Sequence, residues 1–283
     1  VRCLEGLRGM FAIAIWDAKE QVLFLARDRV GKKPLNYAFT DEGVVFCSEL
    51  NPLSLHPSVD RELDRDALDL YLQLQSIPAP WTIYGGVRKL PPAHYALISR
   101  ENIDIERYWS LDYRQKLRLS ENDALDAFEE KLTEAIKLRM SCDVPFGALL
   151  SGGVDSSVIV ALMSKLSDKQ IRTFSIAFGE KTYDESSYAR LAAETCKTQH
   201  LTETIDGDVE EMLPLLARHY GEPYADSSAI PSFHVSRMAR KHVTVVLNGD
   251  GGDELLGGYD RYRIPDHAIR TGCERLYDVA GIA

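Results

Sequence analysis

From Pro145 to Ser157 the chain reads PFGALLSGGVDSS and runs on into VIVALMSKL. The apolar stretch Phe146–Leu150 has the length of a buried strand, and the apolar residues after Ser157 fall at helical spacing. The glycines and serines between them therefore sit at a strand-to-helix turn. In an open α/β sheet, ligands collect at such turns, where strand ends and helix N-termini face a crevice. Gly152 and Gly153 let the backbone approach a phosphate closely, and Ser151, Ser156 and Ser157 offer hydroxyl donors. Val154 opens a helix whose first N–H groups lack intrahelical partners. The expectation is a pyrophosphate cradle. Asp155 would repel that phosphate unless a cation lay between them, which assigns it to Mg2+. The lysine of GxxxxGK[ST] is missing, which argues for cleavage between the α and β phosphates of a nucleotide and against γ-phosphate transfer. A serine-capped turn, with Asp155 serving only the helix dipole, is the plainer alternative.

Around this turn, strands and helices alternate. Ser120, Glu121 and Asp123 open a helix that reaches about Met140, and RTFSIAF, YARLAAETC, HLTETI, VEEMLPLLARHY, PSFHVSRMARK and VTVVLN follow the turn. Such alternation implies a parallel sheet with crossover helices. Before Trp109 the pattern differs: MFAIAIWD, QVLFLARD, PLNYAFT and GVVFCSE are short β runs joined by charged, Gly- and Pro-containing turns, with a helix over Leu63–Gln75 and a strand at HYALIS. That reads as antiparallel sheet. The expected fold class is α+β over residues 1–115 and α/β over 116–283. Arg27 and Asp28 are placed to form a local ion pair beside a turn shaped by Gly31 and Pro34.

A second turn of the later half, Asn248–Glu254, reads NGDGGDE and carries three carboxylates, Asp250, Asp253 and Glu254. Like charges this close need a cation or a cationic substrate group to persist in a cleft. A solvated acidic loop is the alternative. Asp226, Ser227 and Ser228, ahead of Pro231, suit either a substrate site or a helix N-cap.

The 283 residues are 45% hydrophobic and 27% charged, the balance of a folded globular protein. A net charge of −10 argues against nucleic acid and anionic membrane surfaces as partners. Cys3, Cys47, Cys142, Cys196 and Cys273 form no CxxC pair, so neither a disulfide framework nor a zinc site is expected. No apolar run is long enough to span a membrane, and a cytoplasmic location is expected.

SGGVDSS resembles the PP-loop of the N-type ATP pyrophosphatases, and VVLNGDGGDELLGGYDRY (Val245–Tyr262) resembles the second signature of asparagine synthetases. YDESSYARLAAE and EPYADSSAIPSFHVSRMAR are similar to that family's intervening segments. RGMFAIAIWD…FLARDRVGKKPLNYA…VVFCSEL resembles the later part of the class II glutamine amidotransferase domain. The resemblance implies a partial N-terminal-nucleophile (αββα) glutaminase domain over 1–115, followed over 116–283 by a PP-loop, adenine nucleotide α-hydrolase-like synthetase domain. Asp155 and Asp253 would ligate Mg2+. Leu149, Ser151–Ser157, Ile176, Asn248 and Gly249 would hold ATP. Asp226, Ser227, Ser228, Asp250 and Glu254 would face the substrate, with Asp155, Asp250 and Asp253 catalytic. The family often has Ser or Glu where Asn248 and Asp250 stand.

The implied activity is ATP-dependent synthesis of asparagine from aspartate through a β-aspartyl-AMP intermediate, with glutamine or ammonia as nitrogen donor. Other expectations from the resemblance are a homodimer for the longer protein and truncation at both ends. The family's N-terminal cysteine nucleophile has no counterpart here, so glutaminase activity is not expected from these residues. Alternatives are a related ligase acting on another carboxylate, such as a β-lactam-synthetase-like enzyme, and a non-catalytic nucleotide-binding fragment.

Overall fold

The first part of the chain forms α1 (Cys3–Gly6), β1 (Ala12–Asp17), β2 (Val22–Arg27), β3 (Asn36–Thr40), β4 (Gly43–Cys47), α2 (Leu50–Ser54), α3 (Arg65–Leu74), β5 (Val87–Lys89), β6 (His94–Ile98) and β7 (Ile103–Arg107). The computed structural model describes residues 1–100, 102–179, 185–205, 209–259 and 262. Tyr183, Asp184, Asp260, Arg261 and the tail with Cys273 lie outside them. Two antiparallel sheets result, ordered β1-β2-β6-β7 and β4-β3-β5.

Alternation along the strands builds the layers, because successive side chains point to opposite faces. Leu25, Ala96 and Ile98 of the first sheet pack with Tyr37 of the second, which sets the sheets face to face. Phe24, Ala26, Tyr95 and Leu97 point the other way and are covered by Leu4 of α1. Ala38 and Val87 on the far face of the second sheet meet Leu50 and Leu53 of α2 and Ala67 of α3. Helix, sheet, sheet, helix is therefore the layer order, as expected for an αββα domain.

The turn after β2 departs from the sequence reading. Arg27 does not pair with Asp28; its guanidinium donates to the carbonyls of Lys33, Leu90 and Gly31 at 2.7–2.9 Å. Asp28 is fully buried and accepts N–H bonds from Phe11, Val30, Lys32 and Lys33. A buried carboxylate needs donors on all sides, and the curled backbone supplies them more closely than a neighbouring side chain.

The later part forms α4 (Glu121–Met140), β8 (Phe146–Leu149), α5 (Val154–Leu166), β9 (Arg172–Phe178), α6 (Ser186–Thr195), β10 (Gln199–Ile205), α7 (Val209–Tyr220), α8 (Ala229–Arg240), β11 (Val245–Leu247) and α9 (Gly252–Leu256). Ser120 caps α4 by accepting the Asp123 N–H. The four strands form a parallel sheet, β10-β9-β8-β11. Ala148 and Leu247 face α4, α5 and α6, whereas Leu149, Val246 and Phe174 face α8, so both faces are covered. From β8 the chain steps outward to β9 and β10, and β11 then returns to the other flank of β8. That reversal is a topological switch point, the place where open α/β sheets bind ligands.

The chain divides into two compact units, and they do not follow the sequence order. Val1–Arg118 takes in the segment Asp208–Ile230, while Leu119–Gly207 groups with the chain from Pro231 onward. The first residues of α8 thus belong to the first unit and the remainder to the second.

Candidate functional site

β8 and β11 are neighbours in register, with Ala148 opposite Leu247. Parallel pairing sends both chains out at the same rim, one into Ser151–Ser157 and the other into Asn248–Glu254. The two glycine-rich turns then touch. A Cβ on Gly249 would lie 2.7 Å from the Ser156 nitrogen and 3.0 Å from Asp155, and a Cβ on Gly252 would fall on the Asp155 carboxylate. The carboxylate of the first turn is thereby laid against the backbone of the second.

Gly152 has φ +93°, and a Cβ there would lie 2.5 Å from the Ala189 nitrogen and 2.7 Å from the Tyr188 side chain. Only glycine satisfies both the left-handed backbone and the close approach of α6. Gly153 is the N-cap of α5 and has no side chain to cap it, so the first N–H groups of this helix are left to a ligand or water. The serines behave differently from the expectation that all three hydroxyls face a phosphate. Ser157 Oγ donates to the Gly153 carbonyl at 2.8 Å, and Ser156 Oγ donates to it at 3.2 Å from a buried side chain. Ser151 Oγ lies 3.0 Å from Ser156 Oγ and accepts the Gly153 N–H. The hydroxyls brace the turn, and the backbone amides at the start of α5 remain as donors without a protein acceptor among the described residues.

In the second turn, Asn248 Nδ2 donates to Asp250, and Glu254 accepts from the Tyr259 hydroxyl at 3.0 Å. Asp253, in the first turn of α9, has its carboxylate against Gly258. Among the described residues, no three His, Cys, Asp or Glu side chains gather as a metal cage. Mg2+ needs none when one or two carboxylates share it with substrate phosphates. The donor set, the amides at the start of α5 plus the Asp155 carboxylate packed against the glycines of the second turn, is chemically suited to a magnesium nucleotide. Leu149 ends β8, and Ile176 lies on the adjacent β9 two residues beyond Phe174, the partner of Leu149; both are partly buried on the α8 face.

Asp226 accepts the Ser228 N–H at 2.8 Å, and that bond, with the Ser228 side chain and the Tyr224 hydroxyl, holds its carboxyl below the usual range against the opposing effect of burial. Asp226 thus makes the cap-like bond foreseen for it. Asp226 and Ser227 also line a cavity of about 690 Å³ in the first unit, with Tyr71, Ile83, Tyr84 and Tyr224 among its other walls. The sequence did not indicate this cavity, because its walls come from segments more than a hundred residues apart.

Comparison with known families decides where this arrangement belongs. The family model described as asparagine synthase matches residues 127–275. The chain belongs to the asparagine synthase family. A glutamine amidotransferase domain model matches residues 1–109. Similar curated relatives are a putative glutamine-hydrolysing asparagine synthetase 2 of Methanocaldococcus jannaschii, 38% identical over 91% of this chain and 51% of its own length, and asparagine synthetase 1 of Bacillus subtilis, 36% identical over 92% of this chain and 41% of its own. A putative asparagine synthetase of Mycobacterium bovis is 38% identical over 93% of this chain and 41% of its own length. The chain thus spans about half the length of the curated relatives it matches, or somewhat less. No described helix is long and apolar enough to cross a membrane.

Proposed function

We propose that this chain carries the adenylating part of a glutamine-dependent carbon–nitrogen ligase that makes asparagine from aspartate. The observation that carries the reading is the contact of Gly249 with the first turn of α5 at the switch point of the sheet. A nucleotide seated there has its phosphates against the amides at the start of α5, from Val154 on, with its base toward Leu149 and Ile176. An oxygen of the aspartate β-carboxylate attacks the α phosphorus, and pyrophosphate leaves with the bonding pair. Ammonia then attacks the acyl carbon, AMP departs, and a proton is lost to give the amide. Magnesium, when bound, neutralises charge on the departing pyrophosphate. Asp155 and Asp253 would hold it. The helix-start amides of α5 act on the same charge and, being fixed in place, need no reorganisation as it builds. Asp250 and Glu254 are suited to the aspartate amine; of the other candidate substrate residues, Ser227 and Ser228 offer hydroxyl donors that suit a carboxylate, whereas Asp226 suits an amine. Residues 1–115 on this reading belong to the amidotransferase part that supplies ammonia from glutamine, and residues 116–283 to the synthetase part.

The test is pyrophosphate release with ATP, Mg2+ and ammonia against a panel of carboxylic acids. Release should depend on aspartate and should fall at least about a hundredfold in Asp155→Ala, the scale lost with one electrostatic group aimed at the transition state. Parental rates in Asp155→Ala would remove the assignment, and preference for another carboxylate would transfer it to a sister ligase.

A further inference from the structure

The cavity of about 690 Å³ is walled by residues of the first compact unit alone, from Val1–Arg118 and from the segment Asp208–Ile230. Tyr71, Tyr84, Tyr220 and Tyr224 contribute four aromatic rings, and the remaining walls are mostly apolar, with Ile83 and Leu216 among them. Aromatic faces are electron-rich and attract cations. The charged groups on the wall favour the same guest, because they are Glu222 and Asp226, with no Lys, Arg or His among the lining residues. These two carboxylates are not equivalent. Glu222 is neutralised by Lys89, the last residue of β5, in a pair whose side chains are only 14% and 18% exposed. The second Glu222 oxygen accepts the Ile83 N–H at 3.2 Å, and Lys89 Nζ also donates to the Ile77 carbonyl at 2.7 Å, so this pair is complete in itself. Asp226 has no cationic partner among the described residues. One of its oxygens accepts the Ser228 N–H at 2.8 Å, and the other meets the Tyr224 hydroxyl at 3.4 Å, long for a hydrogen bond to a carboxylate. The rings of Tyr220 and Tyr224 lie 4.4 Å apart. Burial, and after it the Asp226 charge, pushes both hydroxyls above the usual tyrosine range, so the field of this carboxylate covers that end of the cavity.

We infer that this cavity is a binding site for a primary amine in its ammonium form with an apolar tail, the head at Asp226 beside the rings of Tyr220 and Tyr224 and the tail against Tyr71, Ile83 and Leu216. Asp226 is exposed at the edge of the cavity, so the head reaches it from solvent. An ammonium brings three N–H donors for the carboxylate and the tyrosine hydroxyls, and its charge is the one the wall lacks. An anion would meet no cation there. A neutral alcohol of the same length would fill the apolar part and leave the Asp226 charge without a partner. The volume lies within the roughly 300–1,000 Å³ of small-molecule sites. The inference concerns the first compact unit alone and asks nothing of the nucleotide-binding turns.

The experiment titrates hexylammonium, hexanol and hexanoate, probes of one shape and different charge, into the full chain by calorimetry. Hexylammonium should bind with a Kd of about 1 mM or tighter. The alcohol and the carboxylate should bind at least about tenfold more weakly, the scale of one hydrogen bond to a charged group. Asp226→Asn keeps an oxygen for the Ser228 N–H while removing the charge, and should weaken hexylammonium binding about tenfold. Leu213 lines the cavity and is 57% exposed, so it accepts a long side chain without disturbing the core. Leu213→Arg should weaken hexylammonium binding about threefold and Leu213→Glu should strengthen it by a similar factor, as for a solvent-exposed charge pair. Equal affinity for hexanol would reduce the cavity to an apolar hole and overturn the inference. Failure of hexylammonium to bind, or parental affinity in Asp226→Asn, would overturn it as well. If Asp226→Asn does not accumulate as folded protein, the two Leu213 variants decide, and identical affinities in them would count against the site. The titration contains neither ATP nor aspartate, so its failure leaves the proposed function standing, and absence of aspartate-dependent pyrophosphate release leaves this inference standing.

Discussion

Replacing Gly249 by alanine puts a methyl group where the two turns meet. The backbone there does not have the positive φ that only glycine takes comfortably, so the effect is purely one of space. The added carbon would lie 2.7 Å from the Ser156 nitrogen, where ordinary contact begins at 3.4 Å, so the second turn must retreat by about 0.7 Å. The obstacle is backbone, since Ser156 and Asp155 lie in the first turn of α5 and cannot rotate away. Overpacking of this kind costs about 1–3 kcal/mol, which in a unit of this size lowers Tm by roughly 2–12 °C. A shift of this size at a binding site also costs affinity, and ATP–Mg2+ titrated calorimetrically should bind at least about tenfold more weakly, equivalent to about 1.4 kcal/mol. Gly153→Ala is the informative companion. Its Cβ would meet only Ser151 Oγ, at 3.4 Å, and its backbone suits any residue. It should therefore cost only the roughly 0.5–1 kcal/mol of exchanging a glycine N-cap for alanine while weakening nucleotide binding, because the methyl stands in front of the helix start. Should Gly249→Ala keep both its melting temperature and its nucleotide affinity, the two turns do not form one site.

Two further outcomes follow from polar groups elsewhere. His200 lies within 3.2 Å of the hydroxyls of Thr173, Ser175 and Thr202, and burial, then Arg190, hold its pKa below the usual 6.5. Because the unfolded chain takes up a proton that the folded one refuses, this contribution to stability is complete above about pH 6.5 and is lost as the pH falls below it. His200→Gln should flatten the acid side of a urea-midpoint profile, though not fully, since burial also lowers His234; an unchanged slope would exclude the effect. Asp28→Ala strips four backbone N–H groups of their acceptor and should cost about 3 kcal/mol or more in chemical denaturation. A loss below about 1 kcal/mol would show that the turn finds other acceptors.

What the sequence disclosed was local or periodic. The helix after Ser120 begins and ends where its cap and its spacing put it, and PFGALLSGGVDSS becomes strand, turn and helix because each part has a single comfortable conformation. That the two glycine-rich turns share a rim was legible too, as strand–helix alternation implies parallel neighbours. The inward serine hydroxyls were not, because a hydroxyl can bond to its own helix start as readily as to a ligand. Arg27 and Asp28 misled for a related reason: adjacency in sequence suggested a pair, whereas burial of Asp28 rewarded surrounding it with backbone amides. Lys89 and Glu222 left no trace in the sequence, since nothing local marks a partner 133 positions away.

The grouping of Asp208–Ile230 with the opening part of the chain has a consequence for synthesis on the ribosome. The amino-terminal unit cannot be completed when its own run of codons has been read. It waits through translation of Leu119–Gly207, on the order of ten seconds at ordinary elongation rates. During that interval Tyr71, Ile83 and Tyr84 lack the α7 and α8 residues that share their cavity in the folded unit.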